Sequence, residues 1–443
     1  MTVQAQDGGV ANAAWLSSGV SQMSAQLQGS SILAIAAQVR QLVASGRQIC
    51  NLTIGDFDPK QYPLPVQLVE GTAAALRAGH SNYPPADGIP ELRKAVQHLY
   101  GRFGLSLPIE RILIAGGARP LLYAAYRTLV NPGEKVLYAT PSWNNNHYTH
   151  LVGGVPVEIA VGPEDNFFAP LSRLQPFLGD AALVVINSPL NPSGTCISRQ
   201  ALWDLCEAIV GENDRRQTVG QRPLMLVYDQ IYWMLTFEGV THFDPLTLHP
   251  RMADYVVYID GISKAFAATG LRVGWSVGPA TVIAAMSRVL GHVGAWAPKA
   301  EQVASSQLLF DDQAVDAYTA GLRAQAGLRL QMLFARLTKL GQQGWPLAAL
   351  QPQGAIYLSA EFALRGYQTD QGQTLETPQQ VRIWLLEQAG LAVVPFDAFG
   401  AVHATDWYRL SVGAVGVADL AAMLDRLEAA LQTLKAPGLP CPS

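Results

Sequence analysis

Charge is scarce in this sequence. Lys, Arg, Asp and Glu make up 14% of its 443 residues, against roughly 25% in an average soluble domain. Such a chain has little surface to solvate, which points to a large core, a large subunit interface, or both. The net charge of −4 provides no basic field, so no nucleic-acid partner is expected. No stretch approaches the roughly 20 uninterrupted apolar residues of a membrane span, so no membrane partner is expected either. The N-terminus lacks a basic segment followed by an apolar run, the mark of a secretory signal. Cysteine is sparse too: Cys50, Cys196, Cys206 and Cys441 lie far apart and form no CxxC pair. That argues against a disulfide framework or a metal site and fits reduced thiols in a cytoplasmic protein. A G-x-G-x-x-G after a strand, which a nicotinamide dehydrogenase needs, is missing. So are an internal repeat and a low-complexity linker. The first 50 residues hold only Arg40 and Arg47 as arginines and no helix-turn-helix pattern, which argues against an appended DNA-binding domain.

What is present is apolar and alternating. Hydrophobic residues reach 49%, and the length favours two domains. Residues 1–30, rich in Gln, Ser, Ala and Gly, read as a flexible arm that could order against a partner subunit. An apolar helical pattern runs from Ile32 to Leu42, the stretch Ile49 to Pro65 is irregular, and helices are expected over Val66–Ala78 and Ile89–Phe103. Then strands and helices alternate. Arg111–Ala115, Lys135–Ala139, Val155–Ala160, Ala182–Ile186, Leu224–Tyr228 and Tyr255–Ile259 read as strands, and Ala118–Val130 as a helix. The last three strands are short continuous apolar runs, the kind that is buried on both faces of a mostly parallel sheet. After a helical region ending near Leu340, strands are expected at Ala355–Ala360, Leu391–Val394 and Tyr408–Val412, with helices at Pro378–Ala389 and Val417–Leu434. The expected fold is α/β. Residues 80–325 form a large domain with a mostly parallel sheet sandwiched by helices. A small α+β domain is built from both chain ends, residues 31–79 and 326–443.

Open α/β sheets bind ligands at the carboxyl ends of their strands. Asn187 follows one apolar strand, Asp229 the next, and Asp260-Gly261-Ile262-Ser263-Lys264 the third. An acid, an amide and a lysine in one crevice outline a reactive-lysine site.

The segment Gly261-Ile-Ser-Lys264-Ala-Phe-Ala-Ala-Thr-Gly270-Leu-Arg272-Val-Gly274 resembles, position for position, the lysine signature of class I aminotransferases, enzymes of pyridoxal-phosphate fold type I. Further motifs of that family resemble this chain in the expected order. They are Tyr83-Pro-Pro-Ala-Asp-Gly88-Ile-Pro-Glu-Leu-Arg93, Pro141-Ser-Trp143, Asn187-Ser-Pro-Leu-Asn191-Pro-Ser-Gly194, Leu226-Val-Tyr-Asp229-Gln-Ile-Tyr232 and Tyr408-Arg409-Leu-Ser411. Together they cover the chain from about Leu52 to its end.

The resemblance implies pyridoxal 5′-phosphate held by Lys264 as a Schiff base. A lysine near its ordinary pKa of about 10.4 is a poor base, and burial beside cations such as Arg272 favours its neutral form. Asp229 would pair with the protonated pyridine nitrogen and keep the ring an electron sink. Asn191 and Tyr232 would meet the ring's phenolic oxygen, and Trp143 would stack on the ring. Gly117, Ala118 and Arg119 open a helix whose N–H groups suit the phosphate, with Ser263 and Arg272 adding a hydroxyl and a guanidinium. Tyr83 would reach that phosphate from the neighbouring subunit of a homodimer with shared active sites. Arg409 would clamp the substrate α-carboxylate through two parallel hydrogen bonds, beside the backbone of Gly55.

The resemblance implies transamination between an α-amino acid and a 2-oxo acid, with 2-oxoglutarate as an acceptor. The same residues serve lyases, decarboxylases and ring-forming synthases of this fold, so another such reaction is the alternative. Two segments depart from the family's usual text: Val394-Pro-Phe-Asp-Ala-Phe-Gly400, and Gly291-His-Val-Gly-Ala-Trp296-Ala-Pro-Lys299. Relatives read substrate side chains there. Phe57, Tyr357 and Trp296 are candidate apolar walls, and Lys299 is a candidate partner for an acidic side chain. The spacing Gly270, Gly274, Gly278 is given no functional weight.

Overall fold

Alternation along the apolar runs decides how the main sheet is buried. A computed structural model describes residues 19–27, 29, 31–401 and 406–437. Its strands, in chain order, are β1 (Cys50–Asn51), β2 (Ile112–Ala115), β3 (Lys135–Thr140), β4 (Val155–Ala160), β5 (Ala181–Asn187), β6 (Met225–Asp229), β7 (Val256–Gly261), β8 (Gly274–Val277), β9 (Leu347–Ala349), β10 (Tyr357–Phe362), β11 (Leu391–Ala392), β12 (Val394–Pro395) and β13 (Trp407–Ser411). In β5, Leu183 and Val185 join one core while Val184 and Ile186 join another. In β6 and β7, Val227 and Ile259 face the first, Tyr228 and Tyr258 the second. Successive side chains point to opposite faces of a strand, so a continuous apolar run is what a sheet covered on both sides requires. Helices Ala118–Leu129 and Ala280–Val293 cover one face. Helices Pro90–Gly101 and Arg199–Thr218 help cover the other.

The seven strands run in the order β2-β8-β7-β6-β5-β3-β4. All neighbours are parallel except β8, which is antiparallel to both β2 and β7. This is the mostly parallel sheet expected. A second sheet, β12-β13-β10-β9, is antiparallel throughout. It forms a separate core with the long helix Asp312–Gln342 and the helices Pro378–Gln388 and Val417–Leu431. Helix Val66–Arg77 packs on helix Lys299–Phe310 and buries Leu68 in a core of the large sheet.

Four local readings differ. The expected strand Leu391–Val394 is two pieces: β11 pairs in parallel with β1, and β12 pairs antiparallel with β13. Two partners on different sides pull the segment apart. Ile49–Pro65 is therefore not wholly irregular, because β1 lies in it. Helix Arg199–Thr218 escaped the sequence reading because Glu, Asp, Asn and Arg crowd its second half. Of the arm expected over residues 1–30, residues 1–18, 28 and 30 lie outside the described residues. The rest carries helix Gln22–Gln26, and His150 Nε2 meets the Met23 carbonyl at 2.7 Å.

Candidate active site

Strand ends of the main sheet supply the first groups. Asn187 and Asp229 close β5 and β6 and pair in register. Asn187 Nδ2 donates to the Asp229 carbonyl (2.9 Å), and Asn187 Oδ1 accepts from the Asn191 amide (2.8 Å). That pair of bonds folds the loop after β5 back so that Asn191 stands beside Asp229. The Asp229 carboxylate is buried and, among the described residues, accepts from one group, the Ile231 amide (3.0 Å). Burial pushes its pKa up to about 7, with the Ile231 N–H acting against it.

Past β7 the chain enters a short helical turn, Ile262–Ala265, that carries buried Ser263 and then Lys264. Lys264 Nζ donates to the Gly55 carbonyl (2.7 Å). It lies 5.7 Å from the centre of the Phe57 ring and 5.8 Å from that of Tyr232. No carboxylate lies within ion-pair distance of it among the described residues. Burial lowers its pKa to about 8. Asp56 raises it, and Arg409, Arg119 and Arg272 lower it further. Asp56 is itself held by the Thr269 hydroxyl (2.7 Å).

Arg409 comes from β13 in the small sheet and is 2% exposed. Its Nη1 donates to Asn191 Oδ1 (3.0 Å) and its Nη2 to the Thr53 carbonyl (2.7 Å). Its Nε is buried with no partner among the described residues. The guanidinium lies 4.7 Å from the Tyr357 ring centre and 4.9 Å from that of Phe399. Tyr357 and Tyr232 share a hydroxyl–hydroxyl hydrogen bond of 2.6 Å. Segments far apart in sequence thus meet around one point: Gly55, Asn191, Tyr232, Lys264, Tyr357 and Arg409.

A second cluster adjoins the first. Gly117 caps helix Ala118–Leu129 at φ 95°, and no side chain caps that helix. Arg272 donates to the carbonyls of Gly116 (2.8 Å) and Thr269 (2.9 Å). A Cβ on Gly117 would collide with the Arg272 guanidinium. On Gly274 a Cβ would lie 2.7 Å from the Gly117 carbonyl carbon. Gly274, whose spacing was given no weight, therefore lets β8 approach the loop and bring Arg272 to it. Arg119 lies 4.7 Å from the centre of the Trp143 ring. Free first-turn N–H groups beside arginines form a cradle for a dianionic phosphate.

Tyr83 stands apart. It is 80% exposed, and its ring packs edge-on against Trp296 with centres 5.0 Å apart. Trp296, a candidate apolar wall, thus packs with Tyr83. Lys299 donates to Asn82 Oδ1 (2.7 Å). Tyr357, read as an apolar wall, contributes its hydroxyl as well as its ring. The sequence reading did not single out Phe399 or Asp56. Phe399 lies in the departing segment 394–400, and Asp56 sits between Gly55 and Phe57, which were both named.

The donor set fits pyridoxal 5′-phosphate. A half-buried lysine with a depressed pKa suits its aldehyde, a buried acid with one hydrogen bond suits a ring cation, and the glycine–arginine cradle suits its phosphate. The orphaned Arg409 Nε suits a carboxylate.

Residues 47–427 match the family model of aminotransferase class I and II. The chain is 31% identical to a probable aspartate/prephenate aminotransferase of Thermus aquaticus, over 94% of this chain and all of that protein. With an aspartate aminotransferase of Geobacillus stearothermophilus the figure is 28%, over 93% and 96%. The crystal structure of the Rhizobium meliloti aspartate aminotransferase superposes with a TM-score of 0.84 at 27% identity, covering 94% of this chain and 99% of that one. The Thermus thermophilus enzyme with maleate gives 0.82 at 28%, covering 93% and 99%. These names do not favour the lyase, decarboxylase or synthase alternative. The chain belongs to the class I and II aminotransferases, and it is a pyridoxal-phosphate enzyme that moves amino groups between amino acids and 2-oxo acids.

Proposed function

We propose that Lys264 holds the cofactor and moves the proton of the reaction. One observation carries the assignment: Lys264 is a half-buried lysine with no carboxylate partner and only a carbonyl as hydrogen-bond partner among the described residues, and desolvation lowers its pKa to about 8. Bound pyridoxal phosphate supplies an aldehyde for an amine and a protonated ring that takes up electrons. Asp229 would neutralise that ring's cation. Its carboxylate is poorly solvated until a positive partner arrives, so the pairing restores the charge that burial disfavours. Asn191 and Tyr232 would donate to the ring's oxygen. Trp143 would pack on the ring. Gly117, Ala118, Arg119, Ser263 and Arg272 would hold the phosphate. Arg409 grips the substrate α-carboxylate beside Gly55, which orients the Cα–H bond toward the Lys264 amine. A neutral lysine at Cα is a competent base when its pKa lies near the working pH.

The substrate class follows from Arg409 and Lys299. Arg409 requires an α-carboxylate. Lys299 donates to a neutral amide oxygen and has no carboxylate partner among the described residues. It is a cation available for a second, distal carboxylate. That favours a dicarboxylic pair such as aspartate and 2-oxoglutarate, in line with the relatives' names. The working unit is a homodimer. Tyr83 is too exposed to serve a site in its own chain, and Val66, Val69 and Leu76 lie exposed on one nearby helix, an apolar patch that a partner would cover. We place the enzyme in the cytoplasm; no helix among the described residues is long and apolar enough to cross a membrane. The division of residues 31–79 and 326–443 from 80–325 is supported by the separate core around the small sheet, with helix Val66–Arg77 straddling it.

The test is an absorbance spectrum of the purified enzyme with a panel of amino acids, in wild type and Lys299→Ala. Dicarboxylic donors should convert the cofactor band in wild type and fail preferentially in the variant, while alanine is unaffected. Preference for amines that lack an α-carboxylate would overturn the reading. A mixed dimer of Tyr83→Phe and Lys264→Ala subunits tests sharing: one site should combine both defects and the other neither.

A further inference from the structure

Behind the catalytic strands, on the face of the sheet away from Asp229, lies a cavity of about 640 Å³. That is within the size range of small-molecule sites, roughly 300–1,000 Å³. It opens between the end of helix Pro90–Gly101, the segment after β6 and the start of helix Asp312–Gln342. Its body is aromatic and apolar. Phe103 meets Trp233 edge-on, with ring centres 4.6 Å apart, and Met234 and Val315 continue the wall. Phe103 is 52% exposed, an expensive placement for a phenyl ring in water unless something covers it.

The charges around this cavity are unevenly satisfied. Asp316 is neutralised by Arg102 (2.7 Å). Asp244 accepts from the Tyr258 hydroxyl (2.9 Å) and from the amides of Leu246 and Thr247 (3.0 Å each). Burial pushes the His242 pKa down to about 4, so the imidazole is uncharged near neutral pH. Arg323 differs. Its Nη1 donates to the Met234 carbonyl (3.1 Å), and no carboxylate lies within ion-pair distance among the described residues. It lines the cavity as a cation with donors to spare.

We propose that this cavity is a second ligand site, separate from the substrate site, for a small aromatic carboxylate. The aryl group lies in the corner of Phe103 and Trp233, where edge-to-face packing is favourable. The carboxylate meets the Arg323 fork, which fits it through paired hydrogen bonds. The site also lies away from Tyr83, the residue assigned above to the partner subunit's site. Helices Pro90–Gly101 and Lys299–Phe310 begin near Tyr83 and Lys299 and end near the cavity. Twelve residues each separate the two ends by about 18 Å. The proposal does not depend on the roles given to Lys264 or Arg409.

The experiment is calorimetric titration of the holoenzyme with 3-phenylpropionate and with its neutral amide. Wild type should bind the acid, and the amide at least roughly tenfold more weakly. Arg323→Gln should weaken the acid by a similar factor. Ala320→Trp, which fills the mouth from an exposed position on the long helix, should abolish binding. Arg409→Lys should retain binding at the cavity. Both cavity variants should keep the cofactor absorbance and transaminase activity of wild type, which separates loss of the site from loss of the fold. Absence of saturable binding would overturn the proposal. So would binding that disappears in Arg409→Lys and persists in Arg323→Gln and Ala320→Trp, since that would place the acid in the substrate site.

Discussion

Two aspartates lie at the carboxyl ends of neighbouring strands of the same sheet, one the last residue of β6 and the other next to last in β7, and they do opposite things. Asp229 and Asp260 are both buried, and in both burial raises the pKa to about 7. Asp229 faces the lysine site and accepts from one backbone amide. Asp260 faces the other core and accepts from three donors: the Gly261 amide (2.7 Å), Trp233 Nε1 (2.8 Å) and the Tyr100 hydroxyl (3.1 Å). A raised pKa therefore does not by itself mark a functional acid. The unused acceptor capacity does. Asp229 has lone pairs waiting for a cation, whereas Asp260 is filled by groups that fix the end of β7 in place.

The comparison breaks first at the lysine. Lys264→Ala should eliminate the borohydride-reducible cofactor adduct and all transamination, and peptide mass spectrometry should locate the wild-type adduct on Lys264. An adduct on another lysine ends the assignment. Asp229→Asn comes next. It keeps the shape and can still meet the Ile231 amide, but it offers the ring no charge. Cofactor should still bind, with turnover down about 100- to 1,000-fold, the usual cost of removing a preorganised electrostatic partner. Near wild-type turnover would make Asp229 as structural as Asp260.

Arg409→Lys should lower kcat/KM for α-amino acids by about 30-fold to several thousand-fold, equivalent to roughly 2–5 kcal/mol, while the cofactor stays bound. Lysine reaches one oxygen where the fork reaches two. Amines without a carboxylate should react as well with the variant as with wild type.

Much of this was legible before any coordinates. The continuous apolar runs announced strands covered on both faces, and the lysine segment announced its chemistry. The two-residue period of a strand also determines which acid faces which side: Asp229 follows Tyr228, and Asp260 follows Ile259, whose side chain lies on the opposite face from that of Tyr228. What sequence could not give was the far end of each contact. Phe399 stacks on Arg409 because β12, which leads to it, pairs with β13, and Asp56 acts on Lys264 because the loop carrying Gly55 folds onto the turn after β7; no local pattern encodes either meeting. The split of β11 from β12 was hidden for the same reason. It depends on β1, which lies more than three hundred residues upstream.

The smallest expected effect on turnover is the sharpest test of the comparison. Asp260→Asn removes a charge that never touches substrate. Turnover should fall by no more than about tenfold, the worth of one hydrogen bond, through slackening of the Gly261 turn that leads to Lys264. Stability should respond in a way that Asp229 chemistry cannot imitate in the cofactor-loaded enzyme. The Asp260 pKa is raised in the folded chain. As pH climbs from near 4, the unfolded chain releases this proton while the folded chain keeps it until about 7. The folded state is then the one binding more protons, so stability falls across that window and stays lowered above it. The full span corresponds to a loss on the order of 4 kcal/mol. Asparagine has no proton to lose. It does present an N–H where a carboxylate oxygen accepted, so the variant should start out less stable at pH 5. The gap to wild type should then narrow toward pH 8. Denaturant midpoints of both holoenzymes at the two pH values measure it. A gap that stays constant or widens would mean that Asp260 is already ionised at pH 5, held there by its three donors, and that burial is the weaker influence on it.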